Sequence, residues 1–225
     1  MAARRQTDSP FLLGLTGPIA CGKTTVGDIL LELGALERID ADRVVHTLME
    51  PGTPTTGAIR GEFGDEILRP DGSVDRGRLG RLVFADAEAL RRLEGIVHPA
   101  VRHSIRERLP QFEGRPGVLV VDAVKLLQSE LLELCDGVWV VQCSAAAQLR
   151  RLTEIRHMTA EEAQGRLAAQ PSFSSPRVTA VIENSGSMDE LRQRVEEEWS
   201  ALSLALVPQP PGARNECGEE ANRQT

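Results

Sequence analysis

The chain has 225 residues, 41% of them hydrophobic, enough to bury a real core in one large domain or two small ones. Its formal net charge of -7 argues against a general nucleic-acid binder, which needs clustered positive charge to neutralise phosphates. No apolar run approaches a membrane span, no secretory leader is recognisable, and Cys21, Cys135, Cys143 and Cys217 form neither a C-x-x-C pair nor a zinc spacing, so a soluble protein of a reducing cytoplasm is expected.

Residues 1–10 are polar and read as a disordered N-terminal extension. Phe11 to Thr16 is the first expected strand. With aromatic residues at only 3%, the core must be built mostly from Leu, Val, Ile and Ala, which suits a buried parallel sheet flanked by helices. Directly after this strand, Gly17, Gly22, Lys23 and Thr24 fill the phosphate-loop pattern G-x-x-x-x-G-K-[ST], and a helical pattern follows. A polyanion needs converging donors, and a loop wrapped onto a helix start supplies backbone N–H groups and a favourable dipole. The stretch Gly17, Pro18, Ile19, Ala20, Cys21, Gly22, Lys23, Thr24 and Thr25 is therefore expected to hold the phosphates of a nucleoside triphosphate. Lys23 is expected against the outer phosphates and the Thr24 hydroxyl on a magnesium ion.

Thr24 to Leu33 carries Val26, Ile29, Leu30 and Leu33 on one helical face, and Gly34 ends that helix. The next strand ends in Arg38-Ile39-Asp40-Ala41-Asp42. Alternation in an extended segment points Asp40 and Asp42 towards one site. A kinase acting on a hydroxyl needs a carboxylate that accepts the hydroxyl proton and aligns the oxygen with the γ-phosphate. Asp42 alone reads as the N-cap of a helix from Arg43 to Met49; beside a phosphate loop it reads as the general base. Residues 50–75 are punctuated by proline and glycine, and two helical stretches follow with Leu79, Leu82, Val83, Leu90, Leu93 and Val97 on an apolar face. His98-Pro99 then reads as the opening of a further helix to about Leu109, with His98 either a cap or a substrate contact.

Gly117 to Asp122 reads as a buried strand ending in an acid, and Asp122 either holds the metal through water or is a simple turn residue. Leu126 to Leu134 looks helical, Gly137 to Gln142 is the fourth strand, and Ala145 to Glu154 is a helix. A capping box, Thr159-x-x-Glu162, opens the next helix. Arg150, Arg151, Arg156 and Arg166 in this pair of helices fit either a mobile lid over a phosphoryl-transfer site or a solvated, salt-bridged face. Val178 to Ile182 is the last strand, a second capping box, Ser187-x-x-Glu190, opens the final helix, and residues 208–225 read as a disordered tail.

Taken together, GPIACGKTTV, RIDADRVVHTLMEPGTP, DGSVDRGRLGRLVFAD, LEGIVHPAV, VDAVKLL, AAAQLRRL, TAEEAQGRLAAQ and VIENSGS resemble the dephospho-coenzyme A kinase family from Phe11 to about Trp199. That resemblance implies an α/β P-loop NTPase fold over 11–207: a five-stranded parallel sheet flanked by helices, a helical substrate domain at about 50–110 and a lid at about 145–172. It implies transfer of the ATP γ-phosphate to the 3′-hydroxyl of dephospho-CoA with Mg2+, no nucleic-acid or membrane partner, and a monomer or weak homo-oligomer. Asp42, Lys23 and Arg151 take the catalytic positions, and Asn184 and Gly186 lie near the nucleotide. Asp40, Asp42, Arg76, His98 and Leu126 are the substrate-binding candidates, and Thr24 and Asp122 the metal-binding ones. The chain departs from the family pattern at Pro18, Ala20 and Cys21, where glycine and serine are usual, and at Val124 to Gln128 and Val178-Thr179. A second lid arginine expected at position 155 is displaced to Arg156. These departures leave two alternatives: a nucleotide- or CoA-binding relative with weakened catalysis, or a P-loop kinase for another small-molecule acceptor.

Overall fold

The computed structural model describes residues 9–206; the expected extension, apart from Ser9 and Pro10, and the expected tail lie outside them. Five short segments form strands β1 (Phe11–Thr16), β2 (Glu37–Asp40), β3 (Val118–Asp122), β4 (Gly137–Gln142) and β5 (Val178–Glu183), all mostly apolar except β2. All pair in parallel, in the order β2-β3-β1-β4-β5. Parallel strands need a crossover each, and the helices between them cover both faces. Successive side chains of a strand alternate between those faces: Leu12 enters the core beneath α2 (Ala41–Leu48) and α5 (Ala87–Arg108), while Leu13 and Leu15 enter the core beneath α1 (Lys23–Glu32) and α8 (Met188–Leu206).

Between α2 and β3 the chain builds a helical annex from α3 (Pro54–Phe63), α4 (Arg76–Ala85) and α5. Here the structure corrects an expectation. Pro99 does not open a helix but lies inside the 22-residue α5. An interior proline forfeits a backbone hydrogen bond and costs roughly 3 kcal/mol in an isolated helix. Ala89, Val97, Val101 and Ile105 are buried on both sides of it, and that packing carries the helix through. A second correction concerns Leu126 to Leu134, which forms two short 3₁₀ turns, Leu126–Gln128 and Glu130–Leu134, in place of a helix. Both expected capping boxes are present. Thr159 and Glu162 bond reciprocally at the start of α7 (Ala160–Ala168), and Ser187 and Glu190 do so at the start of α8.

Candidate active site

The loops leaving the carboxyl ends of β1, β3, β4 and β5 meet at one edge of the sheet, the edge at which open α/β folds bind ligands. The β1 loop turns through Gly17, with φ 152°, and a Cβ there would run into the backbone carbonyl of Val141 on β4. Gly22, with φ 89°, is likewise closed to a side chain by the amide of Asn184. Ala20 sits at φ 61° without being glycine. A left-handed L-residue costs roughly 1–2 kcal/mol, so something else has to hold the loop in shape.

That support comes from three directions. Asn184, buried just after β5, donates from Nδ2 to the Cys21 carbonyl at 2.8 Å. Arg151 donates from Nη1 to the Ala20 carbonyl at 3.2 Å and from Nη2 to the Asn184 carbonyl at 2.9 Å. Gln148, on α6 (Ala145–Arg150), donates to the Ile19 carbonyl at 2.7 Å, and Gln170, just past α7, accepts the Ile19 N–H at 2.7 Å. Three consecutive loop carbonyls are thus gripped by side chains from elsewhere in the chain. Sequence reading missed Gln148 and Gln170. The available signal was an amide in the otherwise apolar AAAQL segment, because a buried amide needs partners.

Lys23, the first residue of α1, forms an ion pair with Asp122 at the end of β3. Burial pushes the Asp122 carboxyl above the usual carboxylate range; Lys23 and then Arg38 pull against that rise, and Asp40 adds to it. Arg38 lies 3.8 Å from Asp122 and also bonds Asp28 at 2.6 Å and the Thr24 carbonyl at 3.0 Å, a role its sequence position did not announce. Asp122 is therefore more than a turn residue. With the exposed Thr24 hydroxyl it offers hard oxygen donors of the kind magnesium accepts. Among the described residues no group of three or more His, Cys, Asp or Glu converges as a metal site, so these two fit an ion that keeps waters and phosphate oxygens as its other ligands.

Asp40 and Asp42 do not share a site in the way alternation predicted. β2 ends at Asp40, which is itself the N-cap of α2, accepting the Arg43 N–H at 3.0 Å. Asp42 falls in the first helical turn, where each residue rotates by about 100° instead of 180°, and it points elsewhere. Asp40 lines a polar cavity with Arg38, Arg43 and Arg108. Asp42 lines a separate, mostly apolar cavity of about 290 Å³ with Val45, His98, Val124 and Lys125. His98 of α5 is thereby brought beside Asp42. Leu126 is not: it is fully buried against Gly14 of β1 and belongs to the core, which corrects its reading as a substrate contact. Arg76 is exposed in the first turn of α4 and lines neither cavity, and Gly186 is exposed past Asn184.

Beyond α6 the helix changes pitch. Arg151–Ile155 forms one π turn, closed by the Arg156 N–H donating to the Arg151 carbonyl at 3.2 Å. In such a turn residue i+5 stands one turn above residue i, as i+4 does in an α-helix. Relative to Arg151, the π turn gives Arg156 the place that residue i+4 holds in an α-helix, and Ile155 beside it is 71% exposed. Gln128, another departure from the family pattern, donates to the Ser172 carbonyl at 2.8 Å and ties the β3 loop to the segment after α7.

A phosphate loop between the central strand and first helix of a five-stranded parallel sheet, with an acid ending the neighbouring strand, defines a P-loop kinase fold. A family model described as Dephospho-CoA kinase matches residues 11–190. A dephospho-CoA kinase of Symbiobacterium thermophilum is 47% identical over 84% of this chain and 80% of its own length, and one of Thermobifida fusca 42% identical over 86% and 97%. The crystal structure of a Thermus thermophilus protein superposes with TM-score 0.71 at 28% identity over 86% of this chain and 98% of its own. A dephospho-CoA kinase structure from Campylobacter jejuni shares the fold, with TM-score 0.63 at 24% identity over 87% and 98%. The chain belongs to the dephospho-CoA kinase family.

Proposed function

We propose that this kinase moves the γ-phosphate of ATP to the 3′-hydroxyl of dephospho-CoA, completing coenzyme A, with Asp42 as the base. The observation that carries the reading is the pairing of a family match over residues 11–190 with an apolar cavity that sets Asp42 and His98 at its wall, next to the phosphate loop's own sheet edge. The loop from Gly17 to Thr25 receives the triphosphate. Lys23 leaves Asp122 for the outer phosphates, and Asp122 and Thr24 serve a magnesium ion through oxygen. That ion, when bound, neutralises charge on the β- and γ-phosphates.

Phosphoryl transfer leaves the protein little covalent work; positioning and charge stabilisation do most of it. Asp42 accepts the hydroxyl proton and orients the attacking oxygen in line. His98, which shares the cavity wall with Asp42, steadies the acceptor. Residues 145–172 act as the lid: Arg151 shapes the loop, Arg156 faces developing charge, and closure excludes water. Asn184 and Gly186 border the adenine. We place the protein in the cytoplasm, as a monomer or weak homo-oligomer; no helix among the described residues is long and apolar enough to cross a membrane. The departures at Gln128 and Arg156 have structural accounts, so weakened catalysis is not favoured, and the family match gives no support to another acceptor.

The test is direct. Purified protein with ATP, magnesium and dephospho-CoA should release ADP and CoA in equal amounts. Folded protein that binds ATP but yields no CoA overturns the proposal.

A further inference from the structure

Where the family usually has serine, the phosphate loop carries Cys21, fully buried, and its Sγ lies 2.7 Å from the Sγ of Cys143. Cys143 follows β4 and immediately precedes Ser144, the N-cap of α6. The two cysteines are 122 positions apart in sequence, and both are free thiols. Nothing in the kinase reaction needs this contact. Cys143 is partly exposed, so one of the two sulfurs is open to a reagent from solution. Cys135, by contrast, is buried with no neighbouring thiol among the described residues, donates to the Leu131 carbonyl at 3.5 Å, and has its own thiol pushed up to about 12 by burial.

We propose that Cys21 and Cys143 are a redox-responsive pair, closed into a reversible disulfide by a small-molecule disulfide of the glutathione type, which slows the kinase. The Cys143 thiolate attacks one sulfur of the small disulfide, forming a mixed disulfide and releasing one thiol. Cys21 then gives up its proton, its sulfur attacks Cys143 Sγ, and the second thiol leaves. The protein loses two electrons and two protons, and the reagent is reduced to two thiols. Burial and the neighbouring thiol hold Cys21 protonated, so the second step is the slow one.

Bond formation needs the sulfurs to close by about 0.7 Å, from 2.7 Å to the ~2.0 Å of a disulfide. The new bond ties the phosphate loop to the foot of α6, the element through which Gln148 and then Arg151 reach the loop. Fixing that joint at a displaced geometry should lower turnover by roughly tenfold to a hundredfold.

The effect on turnover rests on the phosphotransfer reading; bond formation does not. The full chain is incubated with oxidised glutathione and digested without reduction, and nucleotide-dependent turnover is followed in parallel. A peptide joining Cys21 to Cys143, a fall in turnover and full recovery with dithiothreitol support the proposal. Cys143→Ser, with Cys143→Ala as the second variant, should keep the reduced activity and lose the response. Absence of the joined peptide, its presence with unchanged turnover, or an equal loss of turnover in the Cys143 variants overturns it. The peptide readout holds even if the acceptor proves to be something other than dephospho-CoA.

Discussion

The backbone N–H of Ile19 donates to the side-chain oxygen of Gln170 at 2.7 Å, so a residue just past α7 occupies a donor in the middle of the phosphate loop. A γ- or β-phosphate oxygen arriving at the loop competes for such donors. Gln170→Leu should speed amide exchange at Ile19 in nucleotide-free protein by about fivefold, the equivalent of one ordinary hydrogen bond of roughly 1 kcal/mol. Exchange unchanged by the substitution would mean that the glutamine does not hold the loop in solution.

Asp42 is exposed at the wall of the apolar cavity, with no ion-pair partner among the described residues. Asp42→Asn keeps its shape and removes its capacity to accept a proton. Turnover should fall by about 10²–10⁴-fold, with the KM for ATP close to unchanged. Steady-state kinetics with both substrates varied make the distinction; a turnover within a fewfold of wild type would remove Asp42 from the role of base.

The π turn makes an unusual demand on two adjacent residues. Arg156→Met should lower turnover by on the order of 10²-fold through lost charge stabilisation, while the neighbouring Ile155→Ala, despite removing a large side chain, should leave it unchanged. Deleting Ile155 restores α-helical spacing and should keep activity, a result that a merely solvated arginine would not produce.

Gly17 is closed to a side chain by the Val141 carbonyl. Gly17→Ala should destabilise the fold by about 1–3 kcal/mol, because backbone cannot yield as a flexible side chain does. Urea denaturation should show this as a lower midpoint, with nucleotide giving less protection than in wild type.

Acid should weaken the helix starts. Backbone N–H groups hold the Asp75, Asp86 and Glu162 carboxyls below the usual range: Arg78 first for Asp75, Glu88 first for Asp86 and Thr159 for Glu162. Lowered folded values mean that the unfolded chain binds more protons, so this stability is complete above the ordinary carboxylate range and is lost as pH falls through it. Melting temperature should therefore drop below a pH of about 4.5. Asp86→Asn, which caps α5 without titrating, should make that drop shallower in calorimetry.

The phosphate loop, four of the five strands and both capping boxes were legible because each rests on neighbouring residues: four fixed positions, short apolar runs, or an S/T-x-x-E spacing; the mostly polar β2 was read two residues too far, into α2. Pro99 was misread for the opposite reason. Its local signal says helix start, while Val97, Val101 and Ile105 pack against distant elements and outweigh it. Leu126 was misread because its motif position and its core position coincide in sequence and differ only in which way the side chain faces. Gln148, Gln170 and Arg38 were invisible because their meaning lies in partners 129, 151 and 14 positions away. The π turn is a backbone choice that no residue type announces.

The sheet order carries a consequence for how the molecule comes into being. β1 emerges first from the ribosome, yet its two neighbours in the sheet are β3 and β4, and the Asn184 that grips Cys21 comes 163 residues later. A nascent chain stalled before β3 holds the whole phosphate-loop pattern and has neither neighbouring strand against which to fold it. Tethered chains of increasing length should therefore stay blind to ATP until β5 has cleared the exit tunnel, and then gain binding abruptly.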